Sequence, residues 1–179
     1  MIPELIDIGA ERTVLPLGRY SCTFDEVKER YVPEGDENRA AIWDGFVKVV
    51  AFVKATVGSL AEVWIGGSFI TGEEHPHDID VVFFFKEEKI AAVGQAGLFA
   101  LNVLSRRLAP KIERLDAYVD GYMIVVPPTE FDNDANRGYT PWRGYWDQFW
   151  SKTRFSTDDI RWLYLAAGYL EVMVDGYDD

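Results

Sequence analysis

The sequence predicts a mixed α/β (α+β) fold in which a small mixed β-sheet is packed against helices. Residues Asn38 to Lys54 carry apolar side chains at three- and four-residue steps, which is the pattern of an amphipathic helix with one buried face. Three short apolar runs follow, and turn residues bound them, as is typical of buried strands. With 179 residues, of which 48% are apolar, the chain is long enough to bury one core.

The predicted elements follow one another in a definite order. Thr23, with Glu26 three residues later, is a capping-box signature that predicts a short helix over TFDEVKERYV, before the helix at residues 38–54. A further helix is predicted over residues 97–112, between the second and third strands. The three strands are predicted over EVWIGG, DIDVVFFF and AYVDGYMIVVPP.

The remainder of the chain divides into a predicted loop and a predicted helical segment. Residues 129–140 are polar and rich in turn formers, which predicts a loop. A C-terminal helical segment is predicted from about residue 139 to about residue 176. We expect a single domain over residues 1–179, with its core at about 36–128. The buried face of the last helix would consist of Ile160, Leu163, Tyr164, Ala167, Leu170 and Val174.

Composition and charge exclude several classes of protein. Cys22 is the only cysteine, so no disulfide can form within the chain, and this favours a reducing, cytoplasmic location. The sequence has no run of about eighteen apolar residues, so no membrane span is predicted. The N-terminus does not resemble a signal peptide. The formal charge of −12 disfavours sequence-specific DNA binding, although it is compatible with a nucleotide or with a tRNA held by a local basic patch.

Two carboxylates open the second strand. Asp78 and Asp80 are two residues apart, so in a strand both side chains project from one face, about 6 to 7 Å apart along the chain. They would repel each other unless a cation lay between them. Mg²⁺ prefers oxygen ligands and usually shares them with substrate phosphates. The pair therefore predicts a divalent metal site at the start of this strand.

A glycine turn lies about ten residues upstream of this pair. Gly66, Gly67 and Ser68 end the preceding strand in VWIGGSFITGEEHPHDIDVVFFF. Glycines allow backbone N–H groups to approach phosphate oxygens, and the hydroxyl of Ser68 adds a donor. We expect the residues after Ser68 to begin a short helix whose N-terminus favours an anion. The turn and the carboxylates together predict a site for a nucleoside triphosphate (NTP) and its metal ions.

The stretch GGSFITGEEHPHDIDVV resembles the signature of the DNA polymerase β-like nucleotidyltransferase superfamily, and the chain is similar to small bacterial and phage members of it. The part that carries the resemblance is residues 61–126. The resemblance implies a nucleotidyltransferase-like sheet with a two-metal site for Mg²⁺ or Mn²⁺. It also implies a third carboxylate on a neighbouring strand, which joins Asp78 and Asp80 as a metal ligand and deprotonates the nucleophile. Asp120 is the expected third carboxylate, and Asp116, which has the same strand parity, is the alternative.

The resemblance further implies an activity. A Mg²⁺-dependent enzyme of this kind moves a nucleoside monophosphate from an NTP such as ATP to an acceptor, which here would be a protein, a tRNA or a small molecule. Small members of the superfamily occur in toxin–antitoxin and phage-defence systems. Two alternatives stay open: a nucleotide-binding module that has lost catalysis, and a protein-interaction module such as a toxin neutraliser.

Two other metal or phosphate chemistries fit the sequence poorly. His75 and His77 suggest zinc ligands, but they are the only histidines in the chain, and zinc sites need more ligands than these two supply. Haloacid-dehalogenase-type phosphatases carry Asp-x-Asp after an apolar strand, whereas here the apolar run follows the aspartates. Neither chemistry is therefore expected.

Basic and aromatic residues outside the motif each have more than one interpretation. The basic ones either bind phosphates or an acceptor, or lie on solvated helix faces: Arg39, Arg143, Lys152 and Arg154. The aromatic ones either stack on a base, or pack against the core, or form a dimer or partner interface: Trp142, Tyr145, Trp146, Phe149, Trp150, Trp162 and Tyr164.

Overall fold

The structure, a computed structural model, describes residues 1–9, 12–101, 104, 116–128, 136–153 and 167–177. Its centre is a five-stranded mixed sheet with the strand order β3-β7-β4-β5-β6, and a small hairpin of β1 and β2 lies apart from that sheet. The strands are β1 Ile6–Asp7, β2 Thr13–Val14, β3 Arg19–Cys22, β4 Glu62–Gly66, β5 Ile79–Lys86, β6 Val119–Val126 and β7 Tyr169–Met173.

Helices are interspersed with these strands, and the mixed α/β fold class predicted from the sequence is confirmed. None of the helices in the described ranges combines the length and the apolar character that a membrane span requires. The helices are α1 Phe24–Tyr31, α2 Glu37–Val57, α3 Glu87–Ala92, α4 Gln95–Leu101 and α5 Asn136–Trp150, with one 3-10 turn at Ser68–Ile70.

The three predicted strands correspond to β4, β5 and β6. β5 pairs antiparallel with β4 on one side and parallel with β6 on the other. Every residue of β4 is buried, and so is every residue of β5 except Asp80. This burial on both faces explains why the two sequences are apolar without alternation.

Helices cover both faces of the sheet. Trp146 of α5 packs on Tyr122 with ring centroids 4.1 Å apart, and Trp150 packs on Tyr169 at 5.7 Å. Since side chains alternate along a strand, Val119 and Gly121 face the opposite side, where α2 packs against the sheet. The sheet is therefore the middle of three layers.

The two N-terminal helices predicted from the sequence are present, and the second extends beyond its predicted range of 38–54, to Glu37–Val57. The Thr23 hydroxyl accepts from the Glu26 N–H at 3.2 Å, and the Glu26 carboxylate accepts from the Thr23 N–H at 2.9 Å, which forms the capping box. α2 starts after Asp36 and ends at Gly58, whose φ of 83° lies in the left-handed region that favours glycine.

The helical prediction for the C-terminal segment is wrong at residues Tyr169–Met173. These residues form β7, which pairs with β3 on one side and β4 on the other. Leu170 and Val172 are buried on one face of the sheet, a period-two pattern that the longer helical spacing obscured. Pairing with two existing strands outweighs local periodicity here.

Two further boundaries differ from the predictions. α5 begins at Asn136, so the predicted loop is wrong at residues 136–140, whereas α5 confirms helix at residues 139–150. Residues 151–153, 167–168 and 174–176 of the predicted helical segment are not helical either, and residues 129–135 and 154–166 lie outside the described residues. α4 accounts for the start of the helix predicted at 97–112, most of which also lies outside them.

Candidate functional site

The glycine turn and the carboxylate of Asp80 meet at one end of the sheet. In the antiparallel register of β4 and β5, Gly66 lies opposite Asp80. Gly67 has φ 73° and ψ −168°, a backbone region that essentially only glycine adopts. A Cβ added at Gly67 would also overlap Oδ2 of Asp80. The turn therefore leaves room for the Asp80 carboxylate against its backbone.

Asp120 lies beside Asp80 on the next strand. In the parallel register of β5 and β6 the two residues are partners, so their side chains share one face of the sheet, with the strands about 4.8 Å apart. Tyr122 donates from its hydroxyl to Oδ2 of Asp120 at 3.4 Å. Asp120 is buried, with 8% of its surface exposed. The strand pairing thus brings together Gly66, Asp80 and Asp120.

The alternative third carboxylate occupies a different place. Oδ1 of Asp116 accepts from the Tyr118 N–H at 2.9 Å, which is a local turn contact. The same oxygen would lie 2.6 Å from a Cβ added at Gly45 of α2, so Asp116 packs against that helix. Asp120, and not Asp116, is the register partner of Asp80.

A cleft of about 880 Å³ opens over the glycine turn. Its volume falls within the range of small-molecule sites. Lys152 and Arg12 add positive charge, whereas Glu73, Glu74 and the two aspartates of the motif add negative charge. Hydroxyl groups come from Thr13, Ser68, Thr71 and Thr153, and the other lining residues are Val14, Gly67, Gly72, Asp78, Asp80, Trp150, Ala167 and Gly168.

Arg12 enters this cleft through the β1–β2 hairpin, which sequence analysis did not detect. The Gly72 N–H donates to the Thr13 carbonyl at 3.0 Å, and this bond fixes the hairpin to the segment after the glycine turn. Two-residue strands carry no periodicity that would reveal them. The only available signal was a basic residue close to the N-terminus.

Ser68 begins a single 3-10 turn, so the short helix expected after it is present. Its carbonyl accepts from the Thr71 N–H at 3.1 Å and from the Thr71 hydroxyl at 2.7 Å. On the other side, the ring of Trp150 lies on Gly66, where an added Cβ would come within 2.8 Å of it. The turn is thus held between its own capping threonine and α5.

Arg39 stabilises the segment that follows the turn. Its guanidinium donates to the carbonyls of Phe69 and Glu73 at 2.6 Å, and to those of Tyr31 and Thr71 at 3.3 Å. Arg39 has 7% of its surface exposed, and burial is the main cause that lowers its pKa. These contacts assign Arg39 to positioning the cleft wall. They do not support the interpretation of Arg39 as a phosphate ligand.

The other predicted phosphate ligands are distributed differently. Lys152 lines the cleft. Arg143 lies on α5 in a separate groove, together with Arg19. Arg154 lies outside the described residues.

The aromatic residues of α5 divide between two environments. Trp146 and Trp150 are buried against the sheet, which agrees with the core-packing interpretation. Trp142 and Phe149 are about half exposed, at 52% and 48%. Trp162 and Tyr164 fall outside the described part of the chain.

The carboxylates do not form a preformed metal centre. Among the described residues, no group of three or more His, Cys, Asp or Glu side chains is placed to hold a metal ion. His75 and His77 are exposed. A metal held here would need ligands in addition to the described side chains.

Comparison with known proteins relates the chain to a protein family. No curated protein and no solved structure shows significant similarity to the chain. The model of DUF6932, described as a family of unknown function, matches residues 8–173. This range includes the glycine turn, the three aspartates and every strand of the five-stranded sheet. The chain therefore belongs to the DUF6932 family.

Proposed function

We propose that the protein is a nucleotidyltransferase of the DNA polymerase β-like type, which binds a Mg²⁺–NTP complex in the cleft. One observation carries the proposal: Asp80 is the register partner of Gly66 on one side and of Asp120 on the other. Three adjacent strands thus bring the glycine turn and two carboxylates to one end of the sheet. A phosphate-binding turn beside acidic metal ligands is the arrangement that phosphoryl transfer requires.

Each group would have a defined part in binding. The backbone of Gly67 and the hydroxyl of Ser68 would donate hydrogen bonds to phosphate oxygens, as glycine turns do in other nucleotide sites. Lys152 and Arg12, which both line the cleft, would offset the remaining phosphate charge. The ring of Trp150 would exclude water beside Gly66.

The donor set fits a metal ion that arrives with the nucleotide. Asp80 and Asp120 supply carboxylates on adjacent strands, and Asp78 supplies a third at the cleft wall. Mg²⁺ is usually bound by one or two carboxylates together with substrate phosphates and water, so the lack of a preformed three-ligand group is compatible with this role. When bound, the metal lowers the pKa of the attacking hydroxyl and stabilises negative charge on the leaving group.

The reaction proposed is transfer of a nucleoside monophosphate. The oxygen of an acceptor hydroxyl forms a bond to the α-phosphorus, the bond from that phosphorus to the α–β bridging oxygen breaks, and pyrophosphate leaves. The acceptor proton passes to a base, for which Asp120 is the candidate. The acceptor is a protein, a tRNA or a small molecule. NTPs of the cytoplasm would be the donors, and a toxin–antitoxin or phage-defence setting is the proposed context.

Calorimetric titration of each of the four NTPs, with and without Mg²⁺, tests the proposal. Binding is expected only when Mg²⁺ is present. Asp80→Asn and Asp120→Asn should each weaken it by about 100-fold or more, because each removes a metal ligand. The preferred base identifies the NTP to be used, with a labelled α-phosphate, in the search for an acceptor.

Asp116→Asn is the matched control for Asp120→Asn, because its amide oxygen can still accept from the Tyr118 N–H. It should bind Mg²⁺–NTP like the wild type. If no NTP binds to the folded wild type, or if Asp116→Asn and Asp120→Asn lose binding equally, the proposed site is wrong.

A second candidate is a nucleotide-binding module that has lost catalysis, or a protein-interaction module such as a toxin neutraliser. The observation in its favour is that the described carboxylates do not converge as a metal centre. The half-exposed rings of Trp142 and Phe149 would then contribute to a partner or homo-oligomer interface. NTP binding without transfer to any acceptor in a cell extract, or a concentration-dependent oligomer that Trp142→Ser disrupts, would favour this candidate.

A further inference from the structure

A second groove lies on the same face of the sheet as α5, at the N-terminal part of that helix. Its volume is about 550 Å³, which is within the range of small-molecule sites. None of its lining residues also lines the cleft over the glycine turn. The lining residues are Arg19, Tyr139, Thr140, Arg143, Gly144 and Asp147.

Two arginines are held over one tryptophan ring at this groove. The guanidinium carbon of Arg19 lies 5.1 Å from the ring centroid of Trp64, and that of Arg143 lies 5.4 Å from the same ring. Trp64 is fully buried in β4, so it is a rigid support for both side chains. Stacking on an aromatic ring orients a guanidinium and leaves its N–H edge free to donate.

Neither arginine has all its donors occupied by the described residues. Arg143 donates from Nη1 to the Tyr139 hydroxyl, and the charge of buried Glu62 also acts on its guanidinium. Arg19 pairs with Glu171 through Nε at 3.1 Å, and its side chain is 34% exposed. Within the described part of the chain, Nη2 of Arg143 and the terminal nitrogens of Arg19 can therefore still donate to a ligand in the groove.

Buried carboxyl groups lie beneath this arginine pair. Glu62, with 1% of its surface exposed, accepts from Trp64 Nε1 and from the Tyr177 hydroxyl. Burial, followed by the hydrogen bond and the charge of Glu62, raises the pKa of Glu171 to about 7, and this outweighs the opposite effect of Arg19. At neutral pH Glu171 thus neutralises Arg19 only partly.

The remaining acid at the groove already has a partner. The Tyr169 hydroxyl donates to Oδ1 of Asp147. Thr140 supplies a neutral hydroxyl that can donate to a ligand. An oxyanion that enters the groove therefore meets two oriented guanidinium groups and a hydroxyl, with the hydrogen-bonded carboxylate of Asp147 as the one acid of the described lining.

We propose that this groove is a second ligand site, which binds the oxyanion of a small molecule, a phosphate or a carboxylate group, between Arg19 and Arg143. The site is independent of the proposed nucleotidyltransferase activity. Planar guanidinium groups match the geometry of both kinds of oxyanion. The volume suits a metabolite, so the ligand class is a small phosphorylated or carboxylated compound.

The test is an NMR titration of the full chain with inorganic phosphate and, separately, with acetate, in which the side-chain N–H signals of Arg19, Arg143 and Trp64 are followed. Saturable shifts at millimolar concentration are expected with at least one anion. Whichever anion binds more tightly identifies the preferred oxyanion.

Variants distinguish this groove from the cleft. Arg143→Gln should weaken anion binding by about tenfold or more, and Arg143→Lys should weaken it several-fold, because lysine keeps the charge but not the planar fork. Should Arg143→Gln not fold, Arg143→Lys carries this comparison. Two controls should leave the titration of the three signals unchanged: Lys152→Gln in the cleft, and Lys48→Gln at an exposed position of α2. Signals that do not shift, or shifts that Lys152→Gln removes and Arg143→Gln does not, would overturn the proposal.

The protonation of Glu171 predicts how binding depends on pH. The charged and titratable groups around it are Glu62 of β4, Arg19 and Cys22 of β3, Arg143, Tyr139 and Asp147 of α5, Tyr169 of its own strand, and Tyr177. Below about pH 7 Glu171 is neutral, so Arg19 is available to the anion. Above that pH the charged carboxylate of Glu171 competes with the anion for Arg19. Sulfate, which stays ionised throughout, should bind several-fold more weakly at about pH 8 than at about pH 6. Glu171→Gln should abolish this difference, and a wild-type affinity that rises with pH would contradict the proposed role of the pair.

Discussion

Arg39→Met is expected to lower the free energy of unfolding by about 3 to 5 kcal/mol, one of the two largest effects anticipated for a single substitution here. The Arg39 guanidinium donates to four backbone carbonyls, from Tyr31, Phe69, Thr71 and Glu73. Methionine has a similar length but no donor, so it would leave several of these carbonyls without a partner. Each buried carbonyl without a partner costs about 1 to 3 kcal/mol. Urea unfolding measures the change.

Arg30→Met is the matched control. Arg30 donates to the carboxylate of Glu4, but that side chain is 87% exposed, so the ion pair should contribute less than about 1 kcal/mol. Arg39→Lys keeps the charge but cannot reach four carbonyls at once. We expect its loss of unfolding free energy to lie between those of Arg39→Met and Arg30→Met. Equal stabilities for Arg39→Met and Arg30→Met would show that Arg39 does not hold the cleft wall.

Gly67→Ala should combine a loss of stability of about 3 kcal/mol with the loss of Mg²⁺–NTP binding. The backbone region that Gly67 occupies costs other residues about 1 to 3 kcal/mol. The added Cβ would also overlap Oδ2 of Asp80, so either the turn or the carboxylate must move. Urea unfolding and NTP calorimetry on the same preparation measure the two effects.

Gly58→Ala separates backbone strain from this displacement. Gly58 also has a positive φ, of 83°, but a Cβ there would meet no atom within 4 Å. We expect it to cost about 1 kcal/mol and to leave nucleotide binding unchanged. A Gly67→Ala protein that binds Mg²⁺–NTP as tightly as the Gly58→Ala protein would argue against a phosphate-binding role for the turn.

The central strands and the motif could be predicted from the sequence because both are encoded locally. β5 is apolar on both faces, so its identity does not depend on knowing its neighbours. The separation of Ser68 from Asp78 and Asp80 is likewise a property of a single stretch of chain. The choice between Asp116 and Asp120 could not be made from a single stretch of chain, because both residues have the same strand parity. Only the pairing of β6 with β5 distinguishes them.

The features that the sequence did not predict depend on contacts distant along the chain. β7 becomes a strand because β3 and β4 leave a place between them. Arg39 resembles a solvated basic residue on an amphipathic helix until the carbonyls of residues 69–73 surround it. Arg12 enters the cleft because the hairpin is tied to Gly72 by one backbone hydrogen bond. Arg19 and Arg143, far apart in sequence, meet over Trp64 only in the folded chain.

Paramagnetic broadening by Mn²⁺ most directly tests the central claim that the cleft binds a metal–nucleotide complex. Backbone amide signals of the protein would be followed while substoichiometric Mn²⁺ is added, with and without the NTP that calorimetry selects. The account predicts that the amides of Gly67, Ser68, Asp80 and Asp120 broaden first, and only when the nucleotide is present. Broadening that does not depend on the nucleotide, or that begins at an exposed acidic surface such as Glu87 and Glu88 of α3, would contradict it.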